Sequence, residues 1–497
     1  MTYAVTMATY DRFRQALGRT PDFAFPVERA DEPVGPGGAL KLHIYPHAME
    51  EDNAYYDPDR GALLFGYTFA NRRAGGLNQP GGIVFTSLSH DVVVHEMTHA
   101  MLDGMRAHFL LPANPDVDAF HEAFSDLVAL FQRFQFRGLV VKGIAQSPGD
   151  LSSRLLTDVA RQWGQTTGDG RAALRSALVD SGPLDAPVKR EYRYSPKKEA
   201  HDLGAVLVAA VFDAFRWIFA QKTAALRRLA GPAPVPSSEL VDLLAAAACR
   251  IAGQFLNIII RAVDYCPPVD VTFGEFLRAL ITADFDLVPE DPWGYREALV
   301  QAFRRYGIVV DGVPDLSEDA LLWRSPEVDL PPIAGLAFSA LTHGREPGEI
   351  PPTVQLESRA TALGTFVTEP GRLRHFGLAP ADPRTGIEPP VVESIRTLRR
   401  IGADNSVRFE QVGEIVQRRR TDGRKWFHGG ATVIIDTSGE VRYSIVKHVM
   451  STRREQRFRA HLALMPALYS RMFGDQPPPR MHLLRHLHRL TGRRRLD

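Results

Sequence analysis

Two spacings of apolar residues divide this chain. Over long stretches between residues 92 and 306 they recur every three or four positions, and beyond residue 353 they begin to alternate with polar ones. The first spacing lines one face of a helix, and the second one face of a pleated strand. Ahead of both, residues 40–45, 62–67 and 83–86 read as short strands. The pattern predicts a short helix over 10–17, a helix over 120–136 and a helical stretch over 150–180 broken at 164–170. Residues 203–219 are apolar but carry Asp213 and Arg216, which reads as a buried helix rather than a membrane span. Residues 237–306 read as helical throughout, with 240–263 central and 273–281 and 295–306 following. Pro326, Pro331, Pro332, Pro347, Pro351 and Pro352 then mark a loop-rich segment. In the last part, 409–416 partly alternates, and 431–435 and 440–446 flank Asp436-Thr437-Ser438-Gly439, a good hairpin turn.

These elements predict an α+β protein. The divisions expected are an N-terminal segment (1–39), a strand-containing lobe (40–200), a helical lobe (201–312), a Pro-rich linker or wrapping segment (313–400) and a hairpin-containing appendage with a basic tail (401–497). The length of 497 residues accommodates two or three domains. A net charge of +1 argues against binding of nucleic acid through bulk charge. The six arginines of residues 480–497 could still meet an acidic partner, although a solvated basic helix explains them, and His482 and His486 with them. Two cysteines, Cys249 and Cys266, are too few for a disulfide framework and read as buried thiols. The N-terminus lacks the basic start and apolar core of a signal peptide, so a cytoplasmic protein with no membrane attachment is expected. Residues 72–82 are rich in glycine but lack the G-K-[ST] ending of a phosphate loop, and read as a flexible connection.

Candidate chemistry concentrates in Val92-Val93-Val94-His95-Glu96-Met97-Thr98-His99-Ala100. On a helix His95 and His99, four apart, share a face and can turn their imidazoles to one ion. Glu96 stands beside them as a candidate base. The apolar run before His95 implies burial, and a buried His-Glu-His cluster needs a partner. Ala119-Phe120-His121-Glu122-Ala123-Phe124-Ser125-Asp126 offers one, because Glu122 and Asp126 fall on one face of a second helix. Glu122 can be a third ligand, and Asp126 can fix the tautomer of a ligating histidine. Ser89 is positioned to cap the first helix, with Asp91 near its positive end.

HExxH followed about two dozen residues later by EAFSD resembles the thermolysin-like gluzincin zinc metallopeptidases. The resemblance spans about residues 40–310 and implies a two-lobed α+β fold with the cleft between its lobes. It implies zinc (Zn2+) as cofactor, held by His95, His99 and Glu122, with Glu96 as general base and Asp126 supporting His95. Asn53 and Ala54, in Asn53-Ala54-Tyr55-Tyr56, take the place of an edge segment that pairs with substrate backbone. His201, just ahead of a long apolar helix, takes that of the oxyanion donor, oriented by Asp202, by Glu199 or by a carboxylate from elsewhere. The family commonly has a tyrosine between the second histidine and the third ligand. This chain has none there, and His108 is the nearest polar substitute. His121 stands where asparagine is frequent, and Arg190 or Arg193 is the candidate for a carbonyl-binding arginine. The expected activity is zinc-dependent endopeptidase cleavage of peptide or protein substrates. A metal-containing peptide-binding or regulatory protein, and a zinc amidohydrolase acting on a non-peptide amide, are the alternatives.

Overall fold

A computed structural model describes residues 1–24, 41–72, 78–147, 150–159, 175–177, 187–231, 236–340, 352–401, 407–421 and 425–464. The chain opens with helix α1 (Thr2–Leu17), which ends at Gly18 in the left-handed conformation, φ 67°. Only a residue without Cβ suits Gly18. A Cβ there would stand 1.8 Å from the Arg399 carbonyl oxygen, and the Arg399 N–H donates to the Gly18 carbonyl. The beginning of the chain is thus pinned to its last third.

A small sheet follows, made of β1 (His43–Met49), β2 (Ala54–Asp57), β3 (Ala62–Phe69) and β4 (Ile83–Phe85). Its order is β1-β3-β2, with β4 on the far half of β3. β1 runs parallel to β3, and β2 and β4 run antiparallel to it. All of β2 is buried, and it packs beside α2 (His90–Met105), the helix that carries HExxH. Ser89 occupies the N-cap of α2, but its side chain makes no capping bond. Asp91 lies in the first turn as expected and pairs with Arg133 at 2.6 Å.

Helix α3 (Pro115–Arg133) starts five residues earlier than its apolar spacing suggests, because Pro115 and the Asn114 cap set its beginning. α4 (Arg137–Gln146) and the single turn α5 (Arg154–Thr157) come next. Where a helical stretch was expected over 150–180, β5 (Asp158–Val159) pairs with β6 (Arg175–Ser176); residues 160–174 lie outside the described set. The helical lobe consists of α6 (Ala200–Ala230), α7 (Ser238–Ala262), α8 (Phe273–Phe285) and α9 (Tyr295–Arg305). α6 and α7 are long and apolar enough to cross a membrane by composition, but 83% of the α6 window is buried against the other helices. Both are core helices of this fold, since residues from both join the main hydrophobic core. Cys266 is buried as expected, whereas Cys249 is half-buried.

After the turn α10 (Glu318–Leu321), the structure departs from the strand-like reading that began at residue 353. Residues Thr353–Thr368 form a helix, α11. Its inward positions Leu356, Leu363 and Val367 have helical spacing, which alternation-based reading overlooked. The strands come later: β7 (Val391–Ile401), β8 (Val407–Thr421), β9 (Lys425–Ile435) and β10 (Val441–Lys447) form an antiparallel meander in the order β10-β9-β8-β7. The expected boundary at residue 400 therefore falls inside β7. Side chains alternate between two buried faces. Ile395, Ile415, Val433 and Ile435 pack on α11, while Leu398, Val412, Ile434 and Ile445 join the main core against the helical lobe. The last described helix is α12 (Thr452–Leu464). The basic tail, with His482 and His486, lies outside the described residues.

Candidate metal centre

α2 brings His95 and His99 to one face, and α3 crosses it with Glu122 opposite them. The His95 and His99 Nε2 atoms are 3.0 Å apart. Glu122 places Oε2 at 3.4 Å from His95 Nε2 and Oε1 at 3.6 Å from His99 Nε2. Neighbouring ligand atoms on a tetrahedral ion with bonds of about 2.0–2.1 Å stand about 3.3 Å apart. The three donors thus have the spacing and the chemistry, two imidazole nitrogens and a carboxylate, that a divalent ion requires. Among the described residues, His95, His99 and Glu122 form a buried group able to hold a metal ion.

The surroundings fix each ring. His95 Nδ1 meets Asp126 Oδ1 at 2.9 Å, so Asp126 sits where the spacing in α3 predicts. That contact turns the Nε2 atom of His95 inward. Burial opposes charging the His95 ring, but Asp126 and Glu122 outweigh it and push the group up to about 10. The pocket therefore favours positive charge even before an ion is considered. His99 Nδ1 lies 3.0 Å from His121 Nδ1 and 3.3 Å from Ser125 Oγ. His121 thus packs against the second histidine.

Glu96 is buried on the same helix. Its Oε2 accepts the backbone N–H of Tyr56 at 3.1 Å, and the Tyr56 hydroxyl donates to Asp103 Oδ2 at 3.0 Å, two turns further along α2. Tyr56 was not singled out in the sequence, where it reads only as the last aromatic of Asn53-Ala54-Tyr55-Tyr56. Its pairing partners are 40 and 47 residues away. Asn53 is buried and its side-chain oxygen accepts the Ala54 N–H at 3.0 Å, while Ala54 pairs with Phe65 of β3. Ala54 opens β2, the strand that borders α2, and Asn53 immediately precedes it.

His201 enters from α6. Its Nε2 is 3.3 Å from Glu122 Oε2, and its Nδ1 is 3.2 Å from Glu199 Oε1. Glu199 also caps the helix, accepting the His201 N–H at 3.1 Å through Oε2. Of the two carboxylates that sequence left open, Glu199 is the one that orients the ring, and Asp202 is exposed. Burial raises the Glu199 carboxyl, but His201 reverses this and holds it below its ordinary value. The approach of α6 to α3 depends on Gly204, whose absent Cβ would stand 3.0 Å from the Ala119 carbonyl oxygen.

Other candidates lie elsewhere. His108 faces Glu393 of β7 at 3.3 Å and lies tilted against His428 of β9, so it belongs to the junction with the C-terminal sheet. The reason is that α2 ends at Met105 and the chain turns away from the histidines. Arg190 is exposed, and the Arg193 guanidinium lies against Gly307. No protein-family model matches the chain, and no curated protein matches it.

Proposed function

We propose that this chain is a zinc-dependent endopeptidase of the thermolysin-like, gluzincin type, with lobes at about 40–200 and 201–312 around a shared cleft. The observation that carries the reading is the convergence of His95, His99 and Glu122, with Glu96 on the same helix and His201 arriving from a third one. A bound zinc ion would supply a Lewis acid that acidifies a water and polarises the scissile carbonyl. The chain's own groups do the rest. Glu96, oriented by the Tyr56 amide, takes a proton from the attacking water and returns it to the leaving amine. His201, steadied by Glu199 at Nδ1, directs Nε2 into the site and donates to the oxyanion developing on the substrate. Among the described residues β2 ends the order β1-β3-β2, and the reading assigns Asn53 and Ala54 beside it to the substrate backbone.

Glu96→Gln tests this. The variant is expected to keep its metal and lose hydrolysis of a mixed peptide library, and a chelator is expected to silence the wild type. Retained hydrolysis in the variant rejects the assignment. A second reading, a peptide-binding protein that retains a metal but has little turnover, draws on the lack of any tyrosine between His99 and Glu122 and on the exposed Arg190. It predicts peptide binding without cleavage in the same assay. Products other than peptides from an amide substrate would favour the amidohydrolase alternative.

A further inference from the structure

At the far end of α2 from the histidines, described residues line a half-open cavity of about 460 Å³. That volume is within the range of small-molecule sites, roughly 300–1,000 Å³. Phe23, Met105, Leu356, Val392 and Ile395 give it an apolar wall. Its two arginines are engaged within the protein. Arg19 donates through both terminal nitrogens to Asp264 at 2.7 Å, and Arg396 donates to Glu414, Ser394 and the Gly104 carbonyl. The carboxylates of Asp22, Glu357 and Glu393 lie at its exposed edge, with His108 facing Glu393 at 3.3 Å. An apolar chamber with an acidic edge and engaged cations selects against anions.

The cavity shares its wall with the helix that carries HExxH. Asp103, Gly104 and Met105, the last turn of α2, line it. Asp22, also in the lining, rests directly on Gly104, where a Cβ would stand 2.0 Å from the Asp22 carbonyl oxygen. From Asp103 the Tyr56 hydroxyl leads to strand β2, and the Tyr56 amide leads to Glu96. A ligand that shifts the last turn of α2 therefore acts on the residue that orients Glu96.

We propose that this cavity binds a small organic cation, an ammonium or guanidinium group on an apolar body, and that Tyr56 transmits its occupancy to Glu96. The binding half stands apart from the peptidase reading, and only the meaning of Glu96 rests on it. The test uses the full chain, titrated calorimetrically with 4-phenylbutylamine and with 4-phenylbutyrate, which matches it in apolar body but not in charge. The amine is expected to bind saturably, and the carboxylate about ten-fold or more weakly. Glu357→Gln with Glu393→Gln is expected to weaken the amine by a similar factor. Ala360→Trp, which fills the cavity from α11, is expected to abolish binding at an unchanged unfolding temperature. Equal binding of both probes, no amine binding at millimolar concentration, or full binding to the double variant overturns the site.

Transmission is read without any catalytic assay, by hydrogen exchange at the backbone amide of position 56. Saturating amine is expected to change its exchange rate about two-fold or more in the wild type, and to leave it unchanged in the Tyr56→Phe variant, which lacks the hydroxyl. An unchanged rate in the wild type, with the amine bound, overturns the link to Glu96. Absence of peptide hydrolysis would count against the proposed activity and leave both of these readouts intact.

Discussion

His95 and His201 are held by carboxylates in the same manner and for different ends. Asp126 meets Nδ1 of the first at 2.9 Å, and Glu199 meets Nδ1 of the second at 3.2 Å. Each contact settles which nitrogen faces the site. The two rings should separate cleanly in experiment. Asp126→Asn is expected to weaken metal binding by about 10–100-fold while the loaded protein keeps most of its turnover. On the proposed peptidase reading, His201→Ala is expected to retain metal and lose about 10²–10³ in kcat. Metal content after dialysis, measured beside kcat, checks both, and an exchange of the two phenotypes would reverse the roles. Helical spacing places His95 with His99 and Glu122 with Asp126, and the resemblance, not the spacing, joined the two pairs into one candidate metal-holding group. Tyr56 and Glu199 were hidden or ambiguous for a physical reason. One acts through its backbone amide, which no residue code records, and the other could not be told from Asp202 before the helix start was known.

At the scale of elements, the crossing of α6 over α3 sets the distance between His201 and Glu122. Gly204 lies at that crossing, and a methyl group there would meet the Ala119 carbonyl oxygen at 3.0 Å. Gly204→Ala gains about 0.5–1 kcal/mol of helix propensity and gives it back in displacing α6 by a few tenths of an ångström. Unfolding temperature is therefore expected to move little, while kcat falls about ten-fold because misplacement at the site is costly. A large loss of stability with unchanged kcat would show that the crossing adjusts elsewhere. The same scale separates what the apolar pattern revealed from what it concealed. Buried helices such as α3, α6 and α7 were plain from their period. α11 was not, because short apolar side chains interrupted by Thr and Ser blur three- and four-residue spacing. β8 alternated only partly, since Glu410 and Glu414 occupy buried positions that an apolar pattern would fill.

Those buried charges set the behaviour of the whole molecule, because they join its C-terminal sheet to the helices. Glu414 pairs with Arg106 at 3.0 Å and Arg396 at 2.6 Å, Lys447 with Glu275 at 2.7 Å, and Arg454 with Asp270 at 2.7 Å. Beneath them Arg19 grips Asp264 with two bonds of 2.7 Å. Burial raises the Asp264 carboxyl, but Arg19 and Arg400 overcome it and leave the group at about 2, against 3.8 ordinarily. Asp270 and Glu414 are likewise held below their ordinary values, against burial, by Lys447 and Arg106 respectively. A carboxyl depressed in the folded state stabilises it above the unfolded value and loses that contribution as pH falls toward the folded one. Asp264 alone then accounts for about 2 kcal/mol between roughly pH 4 and pH 2. Asp116 and Asp284 have the opposite sign, since burial pushes each from 3.8 up to about 6. Their contribution is present in full below the unfolded value of 3.8 and is lost as pH rises to about 6. Between about pH 4 and 6 the buried His428 ring, held from 6.5 down to about 3, runs against these two groups, because its contribution is lost as pH falls. The expected signature is therefore the loss of stability below about pH 4. Asp264→Asn, which leaves Arg19 buried without its carboxylate, is expected to cost about 3–5 kcal/mol at neutral pH. That penalty should shrink as the wild-type carboxyl protonates toward a pH of about 2. Denaturant unfolding of both proteins across this range decides it. A penalty that stays constant down to a pH of about 2 would mean that Asp264 does not carry its charge in the interface.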